Sequence, residues 1–288
     1  MVKKQEALYS DLANLEWAQI APDKVVIATK DKVWLHPPSF AKNRFARPMA
    51  GRGNVATTTK LLNGAIAAAK RVTKSSVKPP SCMTSRWIWQ LASAYHLCLV
   101  TPEIMEEASI GFAMLGRWNL AEWAAQKANY EEGQDRLVIQ EIRSLGYSPQ
   151  AVVKTLVPPS TNLLIDYFIR SVRDWNPIDC VGYSYTMESL AIEFKKEYLN
   201  KLKLPSLLAI KADFEPKLHS DISTAIERVE GIVNIVAELA AKERIRVAVA
   251  CYETAIMCLN SSTKGYTSDK ELQRILEPLK LNNKVIHK

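Results

Sequence analysis

Apolar residues recur every three or four positions along most of the chain from residue 84 onward, with charged and polar residues between them. This spacing places the apolar side chains on one face of an α-helix, so it predicts helices almost throughout that region. Proline and glycine mark expected helix ends, with Pro102 at a predicted start and Gly146 just after a predicted last turn. No strand pattern appears after residue 80. The predicted helices span roughly 84–99, 102–114, 117–145, 149–155, 160–173, 182–203, 205–220, 221–241, 242–260 and 268–278.

The first 81 residues follow a different pattern. A short helical pattern covers 1–20, and the β-prone runs 25–29 and 33–35 flank a polar turn, which predicts a small hairpin. The rest of this region is basic, rich in Gly, Asn, Thr and Ala, and predicts one helix over 58–72. We therefore expect an all-α fold, divided into a basic N-terminal extension with a short β-hairpin over 1–81 and a helical bundle over 82–288.

Composition is that of an ordinary globular protein. Of the 288 residues, 48 % are hydrophobic and 24 % are charged, which suffices for a sizeable core. No apolar run approaches the roughly 18 residues of a membrane span, and no signal-peptide pattern is visible, so we expect neither. The five cysteines are an odd number with no CxxC spacing, which favours buried free thiols over metal or redox roles. A reducing, cytoplasmic location fits this usage best.

The net charge of +8 is concentrated in one segment, 32–102, which contains eleven Lys or Arg residues and no Asp or Glu. Such a segment can bind nucleic acid, an anionic membrane surface or an acidic carrier protein. The alternative, which we favour, is that it packs against the acidic remainder of the same chain. No aromatic residue lies between Phe45 and Trp87, which gives base stacking little support and disfavours a nucleic-acid partner.

The segment 129–135 carries polar groups where its predicted helix should be apolar. Glu131 and Gln134 are three residues apart and Asp135 is four from Glu131, so these side chains can share one helix face. Gly133 in a helix interior costs about 1 kcal/mol relative to alanine and suggests close packing there. The segment is either part of a binding site or a solvated charged turn.

Two later segments hold further candidates. Glu188 lies among apolar and aromatic neighbours, with Tyr185 three residues before it. A carboxylate on such a face needs a charged partner or a metal ion, and a structural hydrogen bond is the alternative. His219 is one of four histidines, and a lone helical histidine is more often structural than a ligand. Asp221 follows two residues later, which on a helix is a different face.

Taken together, these segments resemble a known family. The order is EEGxD at 131–135, LGY at 145–147, GYxYxxE at 182–188, and a histidine about thirty residues later. This order is similar to that of the heme-oxygenase-like helical bundles, particularly the branch of iron-containing redox enzymes. Thiaminase-like proteins, the pyrroloquinoline-quinone synthase and nonheme di-iron oxidases are relatives on the same fold. The resemblance covers roughly 84–262.

The resemblance also implies a set of metal ligands. In metal-binding members the first motif supplies a Glu and a His, the second a Glu, and the third a His, an Asp and a second His. Carried onto this chain, the implied ligands are Glu131, Glu188, His219, Asp221 and Asp135. Gln134 and Thr224 stand where two of the histidines are expected. Without those imidazoles, hard carboxylate oxygens would hold Fe(II) more weakly.

Three functions are compatible with this resemblance. The one we favour is a bundle protein that binds a small organic ligand in its cavity, with a reduced or absent metal site. Glu188, His219 and Tyr185 would then be the acid–base groups around the ligand. The second is a working Fe- or Mn-dependent oxidase, and the third is a non-catalytic binding or regulatory protein. The expected cofactor is therefore Fe, Mn or none, and a homodimer is left open.

Overall fold

A computed structural model describes residues 15–36, 51–73, 84–202, 211–264 and 268–281. This part of the chain is mostly helical, with a small antiparallel sheet near the N-terminus. The architecture is compatible with a helical bundle. The strands are β1 Glu16–Ala21, β2 Lys24–Ala28 and β3 Val33–His36. The helices are α1 Val55–Val72, α2 Thr84–Met114, α3 Trp118–Glu131, α4 Gln134–Ser144, α5 Pro149–Thr155, α6 Pro159–Val172, α7 Asp179–Leu202, α8 Lys211–Glu238, α9 Ala241–Lys264 and α10 Asp269–Leu276, the last followed by a 3-10 turn, Glu277–Leu279.

The sheet has three strands in the order β1-β2-β3, all antiparallel. The predicted hairpin is confirmed as β2 and β3, and β1 adds a strand that the sequence pattern did not predict. The helical pattern over 1–20 is wrong for residues 16–20, and residues 1–14 lie outside the described part. Burial alternates along β1, with Glu16, Ala18 and Ile20 facing inward. The polar residue at an inward position concealed this alternation.

The chain forms two compact units: unit 1 contains Met1–Ser76 and Ile178–Ile256, and unit 2 contains Val77–Pro177 and Met257–Lys288. The expected division of the chain into 1–81 and 82–288 stays a prediction. None of the described helices is long and apolar enough to cross a bilayer.

In unit 1, α1 packs against all three strands and against α8. The helix begins three residues before the predicted start because the Asn54 side chain accepts a hydrogen bond from the Ala56 N–H at 3.0 Å. Gly64 permits the close contact with the sheet, since an added Cβ would lie 2.7 Å from a Val26 methyl carbon and 2.4 Å from one of Val33.

A buried ion pair connects distant parts of unit 1. The carboxylate of Glu16 on β1 lies 3.2 Å from Nε of Arg244 on α9, and both residues are buried. The Thr58 hydroxyl donates to the same carboxylate at 3.1 Å, and Arg244 Nη1 donates to the Leu239 carbonyl at 2.6 Å. Burial raises the pKa of Glu16 above its ordinary value, while Arg244 and Thr58 act to lower it. Sheet, α1 and α9 are therefore joined through one polar cluster.

Unit 2 is built on α2, which packs against α3, α4, α5, α6 and α10. The predicted helix break at residues 99–102 is wrong, because α2 continues through Pro102. Proline removes one backbone donor, and the hydroxyl of Thr101 donates to the carbonyl of Leu97 at 2.7 Å within the same stretch. The predicted boundary near residue 220 is likewise replaced by the continuous helix α8.

The sequence predictions for two glycines of unit 2 differ in how well they agree with the structure. Gly146, with φ +84°, follows the last residues of α4, which confirms it as a helix-ending glycine. Gly133, with φ +78°, separates α3 from α4, so the single helix predicted over 117–145 is wrong. The close packing expected at Gly133 is also wrong, because no atom lies within 4 Å of an added Cβ. The glycine is required by its left-handed backbone.

The described cysteines are free thiols, as predicted. Cys180 and Cys251 are buried, while Cys98 and Cys258 are half-buried. Burial raises the pKa of Cys251 to about 12, so this thiol stays protonated near neutral pH. Cys82 lies outside the described residues.

Candidate functional site

Among the described residues, buried polar side chains outside the Glu16 cluster are concentrated on α7. Its first turns contain Tyr183, Ser184, Tyr185, Thr186 and Glu188, all buried. Residues three or four apart share a helix face, so Tyr185 and Glu188 are neighbours on one side of α7. This stretch is the GYxYxxE motif of the sequence.

Close contact between α7 and α9 positions this motif. An added Cβ at Gly182 would lie 2.4 Å from the carbonyl oxygen of Val247 and 2.7 Å from Cβ of Ala250. Glycine is therefore required by the approach of two helices and not by its backbone angles. The thiol of Cys251 on α9 donates to the Gly182 carbonyl at 3.5 Å, and the Thr186 hydroxyl donates to the Cys251 carbonyl at 3.3 Å.

Tyr185 is almost completely buried, and its hydroxyl donates to Oδ1 of Asn63 on α1 at 2.9 Å. Burial raises the pKa of Tyr185 above its ordinary value, and the nearby Cys251 thiol adds to this effect. The phenol is therefore neutral near neutral pH and acts as a hydrogen-bond donor.

Glu188 is held by a guanidinium. Nε and Nη2 of Arg228 on α8 each donate to one carboxylate oxygen of Glu188, both at 2.9 Å. Glu188 is buried, whereas Arg228 is half-buried. Two parallel charge-assisted hydrogen bonds are the strongest arrangement available to an Arg–Glu pair. Arg228 is therefore the charged partner that Glu188 was expected to have among its apolar neighbours.

Two other predicted ligand positions are also ion-paired. Oε1 of Glu131, at the end of α3, lies 2.6 Å from Nζ of Lys127. Oδ2 of Asp221 on α8 lies 3.3 Å from Nζ of Lys195 on α7. Asp135 is half-buried in the first turn of α4.

The two positions where the resemblance implies histidines contain Gln134 and Thr224. The amide nitrogen of Gln134 donates to the Tyr130 carbonyl at 3.2 Å, which uses it locally across the Gly133 turn. Thr224 is half-buried on α8, four residues before Arg228. The backbone of His219 belongs to α8, and its side chain lies outside the described residues.

The predicted site residues fall into both units. Tyr185, Glu188 and Asp221 belong to unit 1, and Glu131 and Asp135 belong to unit 2. Within the described residues, no group of three or more His, Cys, Asp or Glu side chains could hold a metal ion. The ligand set implied by the resemblance stays a prediction.

Sequence reasoning missed Arg228 and Asn63. Arg228 lies seven residues after Asp221 on one helix, a spacing that places both on the same face, and this could have marked it as a partner. Asn63 carries no such signal, because it lies in the expected N-terminal extension and its contact with Tyr185 spans 122 residues of sequence.

Comparison of the chain with protein-family models finds no match, and comparison with curated proteins finds no significant match.

Proposed function

We propose that this chain is a heme-oxygenase-like helical protein that binds a small organic ligand through the polar face of α7 and needs no metal ion at Glu188. The family assignment rests on the EEGxD, LGY and GYxYxxE motifs. The observation that carries the metal-independent part is the two-fold hydrogen bonding of Glu188 by Arg228.

Fe or Mn does not fit the described carboxylates as they are placed. A bound metal ion would neutralise the charge of these carboxylates. In unit 1 that charge is already neutralised by basic side chains of the chain itself. Arg228 uses both oxygens of Glu188, and Lys195 pairs with Asp221. Displacing Arg228 would leave a partly buried guanidinium without its counter-charge, which opposes metal entry.

The same contacts favour recognition over acid–base chemistry. Arg228 uses both carboxylate oxygens of Glu188, which leaves this group poorly placed to exchange a proton with a ligand. The neutral hydroxyl of Tyr185 donates its proton to Asn63, so towards a ligand it can act as a directional hydrogen-bond acceptor. A hydrogen-bonding hydroxyl and a charged pair on one helix face are the polar groups that orient an organic ligand in a mostly apolar site.

Native mass spectrometry tests both parts of this proposal in one experiment. The full chain is purified from cells supplied with iron and manganese, and is then incubated with a small-molecule extract of the same cells. We expect an organic adduct that dissociates on denaturation, and no Fe or Mn adduct. Tyr185→Phe removes only the hydroxyl and should weaken the adduct, while Tyr252→Phe, a matched buried tyrosine, should leave it unchanged.

Near-stoichiometric iron or manganese that is lost in Glu188→Ala would contradict the metal-independent site and favour the oxidase. A folded protein with no organic adduct would instead contradict ligand binding.

A further inference from the structure

Unit 2 exposes large apolar side chains around the turn that joins α2 to α3. Met114 is 83 % exposed, Trp118 70 % and Ile110 63 %, and Leu115 in the turn is also exposed. Trp175, which follows α6, is 78 % exposed. Tryptophan and methionine are enriched in the cores of protein interfaces, so this degree of exposure for two tryptophans and a methionine is typical of a surface that contacts a partner.

Two contacts place Trp175 beside the end of α2. An added Cβ at Gly111 on α2 would lie 3.4 Å from Cγ of Pro177. Nε of Arg173 lies 3.0 Å from the carboxylate of Glu107, one turn earlier on α2. Trp175 lies between these two anchor points in sequence. We call Ile110, Met114, Leu115, Trp118 and Trp175 the α2–α3 patch.

We propose that the α2–α3 patch binds the same patch of a second copy of this chain. A two-fold dimer requires a self-complementary surface, because both copies use the same patch and each contact occurs twice. The rim of the patch meets this requirement, since Arg173 and Glu107 are both largely exposed and carry opposite charges. Within one copy these two residues already pair with each other, so across a two-fold axis they can exchange partners without leaving either charge unpaired.

The area of the patch also suits a dimer. An aromatic side chain buries about 150–250 Å², so covering the two tryptophans and three aliphatic side chains would bury roughly 600 Å² per copy. A standard stable interface buries about 800 Å² per partner. The five side chains therefore supply about three quarters of a standard interface, and the rest would have to come from the surface around them.

A lipid surface fits the patch less well. Peripheral binding to an anionic membrane needs an excess of Lys and Arg beside the apolar residues. Here Glu103, Glu106 and Glu107 line the same stretch of α2 as Ile110. These acidic residues would be repelled by anionic lipid, whereas a second copy presents Arg173 as well as Glu107 at the rim.

Sedimentation velocity of the full chain over a concentration series tests the proposal. We expect the wild type to form a dimer of about twice 32.3 kDa. The double variant Met114→Glu/Trp118→Glu should weaken the dimer at least about a hundredfold, because it introduces like charges at the centre of the interface. Both side chains are exposed in the single chain, so circular dichroism should show an unchanged fold.

Leu163→Glu is the matched control, since Leu163 is 59 % exposed on α6 in the same unit. The Ser93–Thr161 hydroxyl contact of 2.7 Å places this end of α6 roughly 25 Å along α2 from Ile110. The control should dimerise like the wild type. A monomeric wild type, an unaffected double variant, or an equal loss in Leu163→Glu would overturn the proposal. So would a monomer that floats with phosphatidylserine-containing vesicles.

Discussion

At the scale of single residues, unit 1 contains charged groups that are buried in matched pairs. Glu16 and Arg244 are separated by 228 positions in sequence, and both are almost inaccessible. The desolvation of each charge is offset only while the other is present. Thr58 and the Leu239 carbonyl satisfy further hydrogen-bonding positions of the pair.

Removing one member of this pair should cost more than removing both. Glu16→Leu should lower the free energy of unfolding by about 3–5 kcal/mol, because it leaves a buried guanidinium without a counter-charge. The double variant Glu16→Leu/Arg244→Met should recover a large part of that loss. Urea denaturation followed by circular dichroism measures both. A double variant less stable than either single variant would contradict this description of the cluster.

The sequence predicted residue-scale features whose cause is local. Glu188 needs a partner because of its apolar neighbours, and the lack of disulfides among the described cysteines follows from the cysteine spacing. The partners themselves depend on contacts across the fold. Arg228 lies 40 positions from Glu188, and Asn63 lies 122 positions from Tyr185. Periodicity on one element does not identify a side chain on another.

At the scale of elements, close helix contact is what fixes the GYxYxxE motif in place. Gly182 brings α7 against the backbone of α9, where Thr186 and Cys251 exchange hydrogen bonds with the opposite helix. Any side chain at position 182 would push the two helices apart. The register of Tyr185 and Glu188 relative to their partners depends on this contact.

Two glycine substitutions should therefore have opposite effects. Gly182→Ala should destabilise the protein by about 1–3 kcal/mol, because its Cβ would lie 2.4 Å from a backbone oxygen that cannot move freely. Gly231→Ala, within α8 and with no atom within 4 Å of the added Cβ, should stabilise it by about 0.5–1 kcal/mol. Thermal and urea unfolding of the two variants measure this difference. Equal effects of the two substitutions would contradict the helix contact.

Most helices were predictable from apolar spacing, and the exceptions have physical causes. Pro102 ends a helix in most sequences, but α2 packs against five other helices and continues through Pro102. Gly133 was expected to serve packing, whereas its left-handed backbone ends α3. The strand β1 was concealed because Glu16 occupies an inward position that its distant partner makes tolerable.

At the scale of the whole molecule, the basic segment 32–102 is partly neutralised by the chain itself. Lys70 forms an ion pair with Glu193 within unit 1. Arg86 lies 2.7 Å from Asp269 within unit 2. For Lys70 and Arg86, these contacts favour packing against acidic residues of the same chain over binding to an external partner. Much of the remaining segment falls at 37–50 and 74–83, outside the described residues.

The central claim of the proposed function is that Arg228, and not a metal ion, is the cation that neutralises Glu188. A double-mutant cycle of Glu188→Gln and Arg228→Gln, measured by urea unfolding in the presence of EDTA, tests it most directly. The exposed pair Glu277–Lys280 provides a control cycle, whose coupling should be no more than about 1 kcal/mol.

We predict a Glu188–Arg228 coupling of at least about 2 kcal/mol, with the unfolding free energy of the wild type unchanged when Fe(II) or Mn(II) replaces EDTA. A coupling near zero, or a metal-dependent stabilisation that Glu188→Gln abolishes, would contradict the claim.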